Sequence, residues 1–342
     1  MSDTVAGRSR LRIALDAMGG DFGPKELVKG AVEAARTKGV EMLLVGDEGQ
    51  LQVELGKLDT RGLPIRVVPS EGKVLDDEHP VMGLKRKPRC SIAVAMGLLR
   101  DGQADAVVSM GSTGAAMASA ALELGLMEGL ERPALGGNFL GLAPKTVLLD
   151  LGSSVDCRPK HLLSFGIMGS VFASRFLEVP NPRVALLSVG SEPAKGNRLV
   201  HESQELFKKS GLNFVGNVEG MDFFTGKADV IVCDGFVGNV ILKFAEGMGK
   251  ALHDYIRQKA SRSLLMRPLA GMASRLWDMV AQGRKTGAPL FGVNGVVIVG
   301  HGASTAEAIV GSAGTVQVLK ERHVVEAMRE EMDRIHALVK SS

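Results

Sequence analysis

Short apolar runs alternate with stretches of helical periodicity along almost the whole chain. A brief continuous apolar run marks a strand buried on both faces, and apolar residues at helical spacing mark an amphipathic helix. The pattern predicts strands over Arg12–Leu15, Met42–Val45, Ile65–Val68, Ala104–Ser109, Thr146–Leu151, Val184–Val189, Val230–Cys233 and Val296–Val299. It predicts helices over Pro24–Arg36, Ser91–Arg100, Thr113–Gly125, His161–Phe176, Leu199–Lys209 and Asn239–Tyr255, with a further helical stretch over Val310–Val339. Such alternation calls for right-handed crossovers, so the expected fold class is α/β: a mainly parallel, Rossmann-like sheet with helices on both faces. No low-complexity linker or internal repeat interrupts the pattern. Residues 1–342 are therefore read as a single α/β unit, with a helical excursion over 247–289.

The strand ends carry the candidate chemistry. The first apolar run stops at Asp16 and is followed by Gly19, Gly20 and Asp21, then Gly23 and Pro24 at a helix start. Comparable ends recur at Ser109–Gly114, Asp150–Asp156, Ser188–Asn197, Cys233–Asn239 and Gly300–Thr305. In a parallel sheet these loops share the carboxyl edge, where open α/β sheets bind ligands. Glycine-rich turns running into helix N-termini present backbone N–H groups, which suit an anion such as phosphate.

Composition narrows the classes. With 342 residues and 45% hydrophobic content the chain can bury a large core. A net charge of +3 and an aromatic content of only 4% argue against nucleic-acid binding. Cys90, Cys157 and Cys233 are far apart and form no CxxC, which disfavours a disulfide framework or a cysteine zinc site and fits a reducing cytosol. The polar stretch Met1–Arg10 has no signal core, and no apolar run is long enough to span a membrane. G-x-G-x-x-G, a P-loop, HExxH and G-x-S-x-G are all absent. That absence favours a reaction that needs no enzyme-bound acyl group.

A separate feature lies between Arg257 and Lys285, where basic residues interleave with apolar ones and Pro268 breaks the helical pattern. This predicts a helical hairpin with an apolar tip, whose membrane-contact candidates are Leu264, Leu265 and Leu269 beside Arg267. A basic amphipathic surface of this kind rests on anionic lipid. The same stripe also suits packing against a second copy of the chain, and both readings stay open.

Taken together, the chain resembles the bacterial phosphate acyltransferases called PlsX, from about Arg12 to about Val318. The resemblance is carried by Ala14–Pro24, by His79-Pro80 with Lys85–Pro88, and by Ser109–Ala115. Val155–Pro159, Gly190-Ser-Glu with Lys195-Gly-Asn197, and Cys233–Asn239 add to it. One departure is Gly152-Ser-Ser154, where family members often carry Gly-Ala-Asn. The resemblance implies transfer of a long-chain acyl group from acyl carrier protein to inorganic phosphate, giving acyl phosphate for phosphatidic acid synthesis. It further implies a fold akin to phosphotransacetylases and isocitrate/isopropylmalate dehydrogenases, a homodimer, and no metal or organic cofactor. Cysteine usage and the basic hairpin together give the expected location as cytoplasmic, peripheral to the inner face of the cell membrane. Competing readings are a phosphotransacetylase-like enzyme using acyl-CoA and a non-catalytic organiser at the membrane surface.

Phosphate is already ionised at neutral pH and a thiolate leaves readily, so the reaction mainly needs positioning and preorganised donors. The candidate phosphate cradle is Gly111, Ser112, Thr113 and Gly114, with Gly196. Lys195 offers a cation, Asn239 a neutral donor, and His301 a donor or proton acceptor. Asp234, Asp16 and Asp21, with Gly19 and Gly20, are expected to support the site, the carboxylates orienting Lys195, His301 or loop amides rather than meeting phosphate. Plainer roles also fit: His301 as a loop cap, Lys195 as a solvated charge, and the cysteines as small buried hydrophobes.

Overall fold

The structure, a computed structural model, describes residues 10–140, 143–261 and 286–341, together with 271, 272, 274, 275 and 277. Contacts group the chain into two compact units. One comprises the described parts of 1–125, 285–287 and 295–318, and the other those of 126–284, 288–294 and 319–342.

In the first unit β1 (Arg12–Asp16), β2 (Glu41–Gly46), β3 (Ile65–Pro69), β4 (Ala106–Ser109) and β11 (Val296–Val299) run parallel in the order β3-β2-β1-β4-β11. β4 and β11 are buried at every position, as expected of parallel strands covered on both faces. Between them come α1 (Gly23–Lys38), α2 (Glu48–Leu55), α3 (Pro80–Arg86), α4 (Ser91–Arg100) and α5 (Thr113–Glu123), and α9 (Ala306–Glu321) follows β11. The register pairs Asp16 with Ser109 and Ser109 with Val299, setting three strand ends side by side. At the opposite edge Arg12 clamps Asp105. Its amide and Nε donate to Oδ2 at 2.8 and 3.2 Å, and Nη2 donates to Oδ1 at 3.0 Å.

In the second unit β5 (Ala134–Leu140), β6 (Ala143–Leu149), β7 (Val184–Leu187), β8 (Phe214–Val218), β9 (Val230–Val232) and β10 (Ala288–Phe291) take the order β10-β5-β6-β9-β7-β8. β5 is antiparallel to both neighbours, and the remaining pairs are parallel. The helices are α6 (Pro159–Arg175), α7 (Arg198–Lys209), α8 (Gly235–Ser261) and α10 (Val324–Ser341). Phe165, Phe172 and Phe207 are fully buried at its core. Here too an arginine clamps an aspartate at the amino edge: the Arg183 amide and Nε donate to Asp229 Oδ2 at 2.8 and 2.9 Å, and Nη2 donates to Oδ1 at 2.9 Å.

The fold is the mainly parallel α/β class that the periodicity predicts. The helical stretch expected over Val310–Val339 is two helices, α9 and α10, separated by a turn at His323. α8 is one unbroken helix, with Val237, Ile241, Leu242 and Ala245 packed on the core cluster of Leu148, Phe223 and Ile231. Phe236, Val240, Phe244, Met248, Leu252 and Tyr255 of the same helix are exposed. The hairpin-tip candidates Leu264, Leu265, Arg267 and Leu269 lie outside the described residues. No helix among the described residues is long and apolar enough to cross a membrane.

Candidate active site

In the first unit the side-by-side ends of β1, β4 and β11 gather three loops. Ser109 Oγ donates to Asp16 Oδ2 at 2.7 Å and accepts from the Gly111 amide at 3.2 Å. Both side chains are buried, so the carboxylate fixes the hydroxyl and the hydroxyl fixes an amide of the glycine loop. Asp21 N donates to Gly302 O at 2.7 Å, and Gly300 N donates to Ser109 O at 2.8 Å, tying the other two loops in. A Cβ on Gly19 would stand 2.7 Å from Gly111 N, so only glycine lets these backbones meet. α5 opens from this junction. Its N-cap is Ser112, which makes no side-chain capping bond, so no side-chain acceptor from the cap takes the leading amides. His301 is exposed on the third loop, with Nδ1 accepting from Ala303 N at 3.4 Å.

In the second unit the carboxyl ends of β6, β9 and β7 carry the other candidates. Asp150 is fully buried; its Oδ1 accepts from the amides of Leu135, Gly152 and Ser153 at 3.1–3.2 Å, and its Oδ2 from Ser154 N at 2.6 Å. Burial pushes its carboxyl up, and the donors from Ser153, Ser154 and Leu135 pull the other way. Asp150 thus shapes its own loop. A Cβ on Gly238 would lie 1.9 Å from Asp150 O, which is why α8 can begin so close to that strand end. Asp234 caps α8 by accepting from Val237 N at 2.9 Å, and Asn197 caps α7 by accepting from Val200 N at 2.9 Å. The backbone at Lys195 is pinned by Asn217 Nδ2, which donates to Lys195 O at 3.0 Å, and Lys195 itself is exposed. Ser188, Gly196, Asn197 and Asp234 line a cleft in this unit.

The cysteines are held as thiols. Burial, with the nearby Asp150 charge, pushes Cys157 up to about 12. Cys233 is pushed well above its ordinary value by burial and by Asp234 and Asp150. A thiol held this far from its thiolate is a poor nucleophile at neutral pH.

The family model described as "Fatty acid synthesis protein" matches residues 11–326. The phosphate acyltransferase of Pelotomaculum thermopropionicum is 45% identical, over 95% of this chain and 96% of its own length. That of Desulforamulus reducens is 44% identical, over 94% of this chain and 98% of its own. This chain belongs to the phosphate acyltransferase (PlsX) family. Its enzyme class is accordingly acyltransferase. The EutD phosphotransacetylase from Staphylococcus aureus shares the fold at 17% identity and TM-score 0.59, covering 91% of this chain and 94% of that one. A phosphotransacetylase from Streptococcus pyogenes shares it at 17% identity and TM-score 0.61, covering 93% and 94%.

For this family member the structure distributes the sequence candidates over both units. Asp16, Gly19, Gly20, Asp21, Gly111–Gly114 and His301 fall in the first, and Lys195, Gly196, Asp234 and Asn239 in the second. Asp16 orients a loop amide, through Ser109. Asp234 serves its own helix, and Asn239 packs against Gly152, whose Cβ would stand 3.3 Å from the Asn239 Cβ. Ser109 and Asp150, which the sequence offers only as the first residues of candidate loops, are the side chains that fix those loops. The available signal was a polar residue ending, or directly following, an otherwise apolar strand.

Proposed function

We propose that the protein transfers a long-chain fatty acyl group from the thioester of an acyl carrier protein to inorganic phosphate, yielding acyl phosphate for phosphatidic acid synthesis. The observation that carries this reading is the start of α5, where the buried Asp16–Ser109 pair fixes Gly111 ahead of a helix N-terminus. Backbone N–H groups and the helix dipole there favour a phosphate anion. Family membership supplies the acyl-transfer chemistry.

A phosphate oxygen attacks the thioester carbonyl, the tetrahedral oxyanion collapses, and the C–S bond breaks to release the carrier thiolate, which takes up a proton. Gly111, Ser112, Thr113, Gly114 and Gly196 are assigned to the anion, and Lys195 to its charge. Asn239 is assigned as a neutral donor, and His301 as the group that donates to the oxyanion or takes the proton of monobasic phosphate. Direct attack suits cysteines held as thiols.

The protein works as a homodimer in this reading, supported by the exposed stripe on α8 from Phe236 to Tyr255. Stripes of this length are normally covered. Peripheral attachment to the cytoplasmic membrane face rests on the basic, apolar sequence between Arg257 and Lys285, and vesicle sedimentation tests it.

The test is hydroxylamine trapping of acyl phosphate from purified protein, acyl carrier thioester and phosphate, with acyl-CoA run alongside. Product from the carrier thioester supports the proposal. Product from acyl-CoA alone replaces the donor, and no product from either overturns it.

A further inference from the structure

The second unit contains a cleft of ≈ 310 Å³ that the anion chemistry leaves unexplained. Its walls are chiefly the apolar side chains of Leu162, Leu187, Leu199, Val200, Val237 and Ile241, from α6, β7, α7 and α8. Val189 also lines it and is 82% exposed. Met221 and Phe236, each next to a lining residue, are exposed as well. The polar side chains in the lining are Ser188, Asn197 and Asp234, with the Cys233 thiol, and Gly196, assigned above to the anion, stands at one side of the same cleft. Asn197 and Asp234 are already occupied as helix caps, while Ser188 Oγ is buried with no hydrogen-bond partner among the described residues.

We infer that this cleft binds the hydrocarbon tail of the acyl donor and sets its chain-length preference. The inference rests on the acyltransferase reading above and adds a place for the part of the substrate that does not react. A carrier's pantetheine arm fits the walls poorly, because its two amides need partners and most of the lining offers none. A saturated chain asks only for apolar contact, which six aliphatic side chains supply. Binding energy from such a remote part of a substrate is realised at the reacting centre, so the cleft acts on turnover as well as affinity.

Two variants test the cleft. Leu199→Trp narrows it, and Ile241→Ala removes wall contact without adding bulk. Both are assayed for acyl phosphate with palmitoyl and hexanoyl carrier thioesters, with thermal unfolding recorded in parallel. The expected result is a fall of roughly tenfold or more in kcat/KM for the palmitoyl donor, hexanoyl turnover within about threefold of the parent, and an unchanged KM for phosphate. A fluorescent palmitate analogue should bind the parent protein and bind the variants more weakly. An equal loss with both donors in either folded variant, or no loss with either donor, overturns the inference. Should Leu199→Trp fail to fold, Ile241→Ala decides. If the parent protein makes no acyl phosphate from any donor, the functional reading fails, and the titration alone then decides whether the cleft binds an acyl chain.

Discussion

Ser109 Oγ donates its only proton to Asp16 Oδ2 across 2.7 Å, and the same oxygen accepts from Gly111 N. The acceptor side of the hydroxyl is therefore aimed at the amide by a carboxylate one strand away. Ser109→Ala strips Asp16 Oδ2 of its donor and frees the Gly111 amide, a loss of about 1–3 kcal/mol. The expected effect is a fall of about tenfold to a hundredfold in kcat/KM for phosphate with little change in the acyl-donor KM. Asp16→Asn should act in the same direction, and the double variant should cost less than the sum, because the two residues form one unit. Phosphate saturation curves for the three variants check this.

Cys157→Ser and Cys233→Ser should each keep substantial turnover. With Cys157 pushed up to about 12 and Cys233 pushed well above the ordinary thiol range, neither is a thiolate at neutral pH. Iodoacetamide at neutral pH should leave both largely unmodified in the folded protein. Incubation with acyl donor in the absence of phosphate should yield no acyl adduct by mass spectrometry. A stable acyl-cysteine would replace direct attack with a covalent route.

Lys195→Ala should chiefly raise the KM for phosphate, since an exposed cation on a backbone pinned by Asn217 contributes charge rather than packing. Movement of the acyl-donor constant alone would assign the lysine to the carrier instead. Varying ionic strength separates the cases further, because an exposed charge is screened by salt.

Parallel strands buried on both faces were legible because that burial leaves an uninterrupted apolar run, as at Val296–Val299. β5 escaped the same test: Gly136, Gly137 and Asn138 break its apolar pattern. Those glycines answer to packing, since a Cβ on Gly136 would stand 2.4 Å from Leu149 Cδ2. β10 was hidden by Pro289 in a four-residue strand, and β8 by Gly216 at a register shift. The glycine loops of the site were visible as turn chemistry at strand ends. What Asp16 does was not, because its partner Ser109 is 93 residues away and only strand pairing brings them together.

The Arg183–Asp229 clamp predicts how stability depends on pH. Burial alone would raise Asp229, but the hydrogen bonds from the Arg183 side chain and amide prevail and hold it below the ordinary carboxylate value. A folded value below the unfolded one means stability that is present above about pH 3.9 and lost as pH falls through the folded value. Asp229→Asn should cost about 1–2 kcal/mol at neutral pH, discounted for the partial exposure of Arg183, and the gap from the parent should close below about pH 4. Urea unfolding at the two pH values measures both.

Arg12–Asp105 and Arg183–Asp229 are the same joint made twice, once in each unit, at the strand ends farthest from the candidate loops. Each fastens a strand to its parallel neighbour before either enters the apolar interior. Alignment of the strands is thereby fixed at one border, and the candidate loops stand at the other. Neither joint involves the loops at Ser112 or Lys195, so which strand lies beside which does not depend on their sequence. Substitutions in those loops should therefore alter activity while the foundation beneath them stays standing.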